Sequence, residues 1–531
     1  MRVVSCRRSF LAVALTVALT ITACFALVGH RGTKTTTVTA MTGAAVAFTG
    51  ATGLQTCAPY VIAAENRRTG SDGWNTPAAN TPPATPVDVS GYADQTSVAC
   101  GDELVLRLAP RANRSVMVRV EAWRLGFYGG AGGRRVWVGP LIRVGVPHTY
   151  QQSDPTTLIV TAPWPVSTSF RIGPLWVPGV YLLKIVPSDH DLSGGVIPLV
   201  VTDPGRSHEL VQVLATNTWQ MYNSWGDRSA YVGIGGPSQG VSFERPYSGS
   251  GAGQLISDEY PLIKLVEQMG LNIGYATDND LNSGDRVVTR TKALIFGSHS
   301  EYWTSGMRSN FEVLLRRGVN AAFLGANNMY WRPRPMPSSR SYRTLALYRY
   351  SVRDPLRGDP GLVSGEWRYP PINDPEAFVL GNQYGCAGVD VPMSLPTHLG
   401  WIFSHSGGAP GQRLPHMWFQ ETDSEKTRPG TRIVASTRFY CALHHENSGG
   451  AMTEFAHAGG GLIIKTGTRG WVCRLSASCS NPNPVTDRII SRATKTILRA
   501  VTHGPAGWRA RIGDYPIAKF ASGASAKHKR A

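Results

Sequence analysis

Several familiar catalytic signatures are missing from this chain of 531 residues. No glycine-rich loop closed by Lys-Ser or Lys-Thr occurs, which removes P-loop phosphate chemistry. No His-Glu-x-x-His occurs either. His444-His445-Glu446 lacks the spacing that sets two imidazoles on one helical face, and it reads as a surface loop. Cys-x-x-Cys and Cys/His ligand spacings are absent, which argues against a zinc ribbon. A Gly-x-Ser-x-Gly nucleophile elbow, with a strand before it and a helix after it, is not expected. No internal repeat and no nucleic-acid-binding motif stands out. Acidic residues are few: 35 Asp and Glu face 53 Lys and Arg, for a formal charge of +18. The positive residues are scattered, apart from the tail Lys527-His528-Lys529-Arg530. That excess points to solubility and to acidic envelope polymers as partners, not to nucleic acid.

What is present begins with a targeting segment. Arg2, Arg7 and Arg8 precede an apolar stretch from Phe10 to Val28. A positive n-region followed by an apolar h-region is the export pattern. Cys6-Arg7-Arg8-Ser9-Phe10-Leu11 resembles a twin-arginine signal, and Ile21 to Cys24 resembles a lipobox that would lipidate Cys24. The same stretch is just long enough for an uncleaved anchor, since a span needs about 20 residues. Export is therefore expected, to the envelope or beyond it, with cleavage, lipidation and membrane anchoring left open. Cysteine usage agrees. Beyond Cys24 stand Cys57, Cys100, Cys386, Cys441, Cys473 and Cys479. An even set in an oxidising compartment suggests disulfides. The pairing expected is Cys57–Cys100, Cys386–Cys441 and Cys473–Cys479.

The chain divides by rhythm. Residues 1–30 are the signal or anchor segment and 31–58 a Thr-, Ala- and Gly-rich linker. Residues 59–205 carry short strands, such as the alternating Val116 to Trp123, separated by turns at Gly129-Gly130, Pro178-Gly179 and Gly194-Gly195. Regular short strands with turn signals predict a β-sandwich. From 206 to 505 the rhythm becomes strand, helix, strand. Leu210 to Ala215, Asn272 to Ala276, Lys292 to Phe296 and Ala321 to Leu324 read as buried strands. Tyr260 to Met269 and Met307 to Arg317 have helical spacing, closed by Gly270 and Gly318. This alternation predicts a doubly wound, mostly parallel sheet. Further strands are expected at Arg432 to Ser436 and Leu462 to Lys465, and a closing helix at Thr486 to Val501. The proline-rich middle, about 332–430, reads as loop. Residues 506–531 form a basic tail.

Four strands of the second part end in chemistry-bearing residues. Trp219, Tyr222 and Asn223 follow the first, Asp278 and Asp280 the second, His299, Glu301 and Tyr302 the third, and Asn327 the fourth. Ligands in an open parallel sheet bind beyond the carboxyl ends of its strands. Convergence of these ends on one rim is the argument for an enzyme. The plainer role for Asp278 and Asp280 is to cap the following turn, and for Trp219 to pack.

Several segments in order resemble the N,N-dimethylformamidase beta subunit-like family: EAWRLGFYGGAGGR (121–134), NTWQMYNSWGDRSAY (217–231), FERPY (243–247), YATDNDL (275–281), GSHSEYW (297–303) and GANNMYWR (325–332). The resemblance implies a β-rich domain ahead of an α/β domain like that of class I glutamine amidotransferases. It also implies a mononuclear ferric site with two tyrosinates and one glutamate, acting on a small amide. Carried over, Tyr222 matches one tyrosine, Glu301 the glutamate and His299 the histidine beside the iron. The second tyrosine falls on Tyr181 in PGVYLLKI. Trp219, Asn223, Asp278, Asp280, Tyr302 and Asn327 would line the surroundings. Phenolate and carboxylate are hard donors that suit a hard, highly charged ion. Such an ion polarises an amide carbonyl and activates water, with His299 as base. Ser300 departs from the Asp usual at that place. The alternatives are an envelope protein that keeps the scaffold without catalysis, and an amidase acting on peptidoglycan.

Overall fold

Alternating side chains in the first part of the chain build two antiparallel sheets. The structure, a computed structural model, describes residues 57–75, 86–337, 343–476 and 478–508. The targeting segment, almost all of the linker and nearly all of the basic tail lie outside these residues. One early sheet has the order Val89–Ala93, Glu103–Pro110, Thr168–Arg171. The other runs Ser97–Ala99, Val196–Thr202, Gly179–Pro187, Val116–Leu125, Gly133–Val138, with a single parallel pairing between its first two strands. Their facing residues, among them Leu106, Val118, Leu183 and Leu199, share one core.

The second part begins with strands that are buried from end to end, as strands covered on both faces must be. Parallel pairing sets the order Ile273–Thr277, Leu210–Leu214, Ala293–Phe296, Asn320–Phe323, Leu462–Lys465. In chain order this is 2-1-3-4-5, whose topological switch point lies between the first and third strands. Successive side chains feed opposite cores. Leu210, Leu214, Ile273 and Ile295 pack with the helix Tyr260–Met269, while Val211, Val213, Leu294 and Phe296 pack with the helix Ser305–Arg316. The first of these helices has its expected bounds and ends on Gly270 at φ 67°, a left-handed C-cap.

The nine-stranded sheet as a whole is mixed, which corrects the expectation of a mostly parallel one. Leu462–Lys465 pairs antiparallel with Glu446–Ala456, and beyond it lie Thr431–Cys441, Arg413–Thr427 and Asn382–Ser394. Part of the segment read as loop is thus a long hairpin. Gly385, Gly388, Pro392 and Pro415 and repeated register shifts break its alternation, so it carries no period-two signal.

The two parts are joined by packing. Leu182 and Val200 share a core with Ile263 and Ile295. Arg124 and Glu267 form a fully buried ion pair at 2.7 Å between an early strand and the helix Tyr260–Met269. The disulfides Cys57–Cys100, Cys386–Cys441 and Cys473–Cys479 are those expected, and they mark an oxidising, extracytoplasmic setting. Among the described residues no helix is long and apolar enough to cross a membrane.

Candidate active site

The switch point of the parallel strands is where the polar residues gather. The chain leaves the strand Leu210–Leu214 and turns at once into the helix Thr216–Tyr222. That helix ends with Tyr222, whose hydroxyl donates to Glu301 Oε2 at 2.9 Å. Glu301 follows the neighbouring strand Ala293–Phe296, and its amide N–H is held by the Thr218 hydroxyl at 3.1 Å. Gly297 allows a close approach, because a Cβ there would fall 2.6 Å from the Asp258 carbonyl oxygen as well as against the Glu259 carboxylate.

Three more groups complete the cluster. Tyr231 stacks on Tyr222 with ring centroids 4.3 Å apart, and its hydroxyl reaches Tyr222 at 2.8 Å and Glu301 at 3.2 Å. Tyr302 contacts the Tyr231 hydroxyl closely. His299 Nε2 lies 3.4 Å from Glu301 Oε2 and 3.0 Å from Glu421 Oε2. Both carboxylates thus face the same ring nitrogen, in contacts without the alignment of a hydrogen bond. Glu421 is further held by Asn327 Nδ2 at 3.1 Å and Arg469 at 3.6 Å.

Charge is unevenly spread over this cluster. Burial pushes the Glu301 carboxyl up and Glu421 adds to it, while His299 opposes. Burial acts on Glu421 too, but the neighbouring His299 and Arg469, with the Asn327 amide donating, outweigh it and hold Glu421 down at about 2. Burial, reinforced by Glu301, drives the phenols of Tyr222, Tyr231 and Tyr302 above their ordinary range. Among the described residues no group of three or more His, Cys, Asp and Glu is placed to hold a metal ion. Any fit for a metal therefore rests on the phenols. Tyr222, Tyr231 and Glu301 converge as hard oxygen donors, which fits a hard, multiply charged ion. A cleft of about 350 Å³ borders the cluster at Tyr222, walled also by Trp219, Asn223 and Tyr247 and by residues 250–255.

Residues 119–484 match the family model described as "N,N-dimethylformamidase beta subunit-like, C-terminal". The chain belongs to this family. A curated relative, the N,N-dimethylformamidase beta subunit of Alcaligenes sp, is 33% identical over 90 residues. That stretch is 16% of this chain and 12% of the relative, so only a small part of the relative's length is matched. Among solved structures, the calcium binding mutant of Bacteroides uniformis beta-glucuronidase 2 shows 12% identity over 44% of this chain and 27% of that one. Its TM-score is 0.13, and it carries no argument about fold or function.

Within this family member, the structure brings together Tyr222, His299, Glu301, Tyr302 and Asn327. Trp219 and Asn223 stand beside them on the cleft. Asp278 and Asp280 do not join. Asp280 forms a capping box with Thr277, the plainer role, and Asp278 accepts from the Asn217 amide. Tyr181 does not join either. Its neighbours Val180 and Leu182 face the parallel sheet, so strand parity turns Tyr181 into the core of the early sheets. There it stacks on Trp176 at 5.1 Å and donates to the Val177 carbonyl at 2.6 Å.

Sequence reasoning missed Tyr231, Glu421, Arg469 and Arg349, whose guanidinium lies 3.7 Å from the centroid of the Tyr231 ring. Tyr231 lies inside a matched motif but follows no strand, and the others follow from the untraced middle or a late loop. One pattern also requires correction. Gly236 to Gly240 does spell Gly-x-Ser-x-Gly, but no elbow forms there. The Ser238 hydroxyl is buried, donates to the carbonyls of Ser229 and Gly240, and precedes a strand, not a helix.

Proposed function

We propose that this protein is an exported hydrolase that cleaves the C–N bond of an amide, with a formamide-type small molecule as substrate. The observation that carries the reading is the Tyr222–Glu301 bond of 2.9 Å with His299 Nε2 3.4 Å away, at the switch point of the sheet. Similarity to an N,N-dimethylformamidase beta subunit supports the reaction class. Tyr222 and Glu301 would hold a ferric ion, which when bound polarises the carbonyl and lowers the pKa of a water.

The residues then have separate tasks. The aromatic walls of the cleft, Trp219 and Tyr247, receive the apolar part of the amide and exclude bulk water. His299 accepts the proton of the attacking water at Nε2, where Glu421 supplies the counter-charge at 3.0 Å. Water oxygen bonds to the carbonyl carbon, the C–N bond breaks, and the proton passes to the departing nitrogen. A carboxylic acid and an amine result. Export rests on the N-terminal arginines and apolar run together with the disulfides. The +18 charge supports attraction to acidic envelope polymers.

The test is amine release from formamide-type amides by the purified, iron-loaded chain. Wild type should release amine. Glu301→Ala should lose iron and activity with an unchanged circular dichroism spectrum, and His299→Ala should lose at least about 100-fold in kcat while keeping iron. An iron-loaded wild type that releases no amine from any of them sinks the reading.

A further inference from the structure

We infer that a cavity at the seam between the early sheets and the parallel strands binds a single sugar ring, or a polyol of similar size, separately from the cleft beside Tyr222.

The cavity measures about 200 Å³. One wall is the turn 94–97, which follows the strand Val89–Ala93. The facing wall is the helix Asp278–Ser283, which follows the strand Ile273–Thr277. The Ser97 hydroxyl donates to Asp280 Oδ1 at 2.7 Å and ties the two walls together. Sites for drug-sized ligands run to about 300–1,000 Å³, so this one suits one ring and not a chain of them.

Two residues that line the cavity carry a buried polar atom with no hydrogen-bond partner: Asp278 at Oδ1 and Arg343 at Nε. Asp278 is 1% exposed and Arg343 7%. Other atoms of both groups are engaged. Asp278 Oδ2 accepts from the Asn217 backbone N–H at 2.8 Å. Arg343 Nη2 donates to the carbonyls of Ala93 at 2.8 Å and Phe243 at 2.6 Å. Buried polar groups are nearly always paired, so two orphans at one cavity point to what it takes.

The wall chemistry sets the class of ligand. Arg343 Nε–H needs an acceptor. Burial pushes the Asp278 carboxyl well above the ordinary carboxylate range, so its free oxygen can meet a ligand as acceptor or as O–H donor. A hydroxyl answers both needs, because it donates and accepts. Thr96 and Asn279 add a hydroxyl and an amide of the same double capacity. Asp94 and Asp278 disfavour an anion and Arg343 disfavours a cation, which leaves a neutral ligand. Phe243, Pro335 and Leu345 supply an apolar patch for the C–H face of a sugar ring.

No described residue lines both this cavity and the cleft beside Tyr222. Between them lies a gap of about 30 Å³, bordered by Phe243 and Arg343 of the cavity and by Trp219 and Tyr247 of the cleft. That is room for a water or two, so the two sites take separate ligands.

The experiment titrates the purified full chain with glucose and with myo-inositol, and reads binding by saturation-transfer nuclear magnetic resonance. Glycine and sodium acetate probe the charged alternatives. Glucose or inositol should bind, and glycine and acetate should not. Asn279→Trp, which fills the cavity from its partly exposed wall, should abolish the signal. Asp278→Ala should weaken binding at least tenfold. If Asp278→Ala does not fold, Asn279→Trp decides. Binding that persists in Asn279→Trp at wild-type affinity overturns the site. Silence of both polyols, or binding of glycine or acetate in their place, overturns the inference as well.

Discussion

Glu421 Oε2 lies 3.0 Å from His299 Nε2, although one residue belongs to a long antiparallel hairpin and the other to the turn after a parallel strand. The contact joins the two halves of the mixed sheet at the site. It gives the imidazole a carboxylate that stays charged, because His299 and Arg469 hold Glu421 at about 2 despite its burial.

Removing that charge should slow the reaction without emptying the cleft. Glu421→Gln keeps the shape and the amide contact to Asn327 but leaves the imidazolium without its partner. We expect kcat to fall by about 100-fold with KM little changed. Steady-state kinetics on an amide substrate check this, and an unchanged kcat would remove Glu421 from the mechanism.

The buried pair Arg124–Glu267 should behave as a unit. Both side chains are fully enclosed, and Glu267 also accepts from Tyr275 at 2.9 Å. Glu267→Leu alone strands a buried guanidinium and should cost about 3–5 kcal/mol. Adding Arg124→Met should recover most of that loss. Urea unfolding of Glu267→Leu, Arg124→Met and the double variant measures it, and a double-variant loss equal to the sum of the two single losses would show that the pair is not coupled.

Stability should fall as pH rises through the range of Glu259. Burial pushes its carboxyl from 4.5 up to about 8, with Gln212 donating to it at 2.9 Å. The folded pKa lies above the unfolded one, so the contribution is complete below the ordinary carboxylate range. It is lost as pH rises through about 8. Glu259→Gln should flatten the decline between about pH 5 and pH 9 in denaturant melts. An identical slope in the variant would assign the decline to other groups.

Packing behind the site should be costly to disturb. Phe296 is fully buried and stacks on Phe323 with centroids 4.4 Å apart, with Trp303 at 5.3 Å. Phe296→Ala should destabilise by about 3–5 kcal/mol through the cavity it leaves. The shift in denaturant midpoint reads it, and a loss under about 1 kcal/mol would mean the cavity collapses.

Much of the site was legible because its parts are local. A strand end and the turn after it are contiguous in sequence, so Tyr222, His299 and Glu301 could be picked out by position alone. Tyr181 shows where that logic stops. Motif order pointed to it, but alternation along Gly179–Pro187 sends Val180 and Leu182 toward the parallel sheet and Tyr181 away from it.

By itself the sequence determined the strand–helix rhythm, the bounds of the helix Tyr260–Met269 and the family, since each rests on local periodicity, capping or motif order, whereas six cysteines allow 15 pairings and only the fold joins Cys57 to Cys100 and Cys386 to Cys441. Only the tertiary structure decided that the sheet is mixed, that Tyr231 reaches Glu301 and that Glu421 reaches His299. The reason is physical: bulged hairpin strands leave no regular period, and a side chain's partners across a cleft are set by register and packing, which no local pattern encodes.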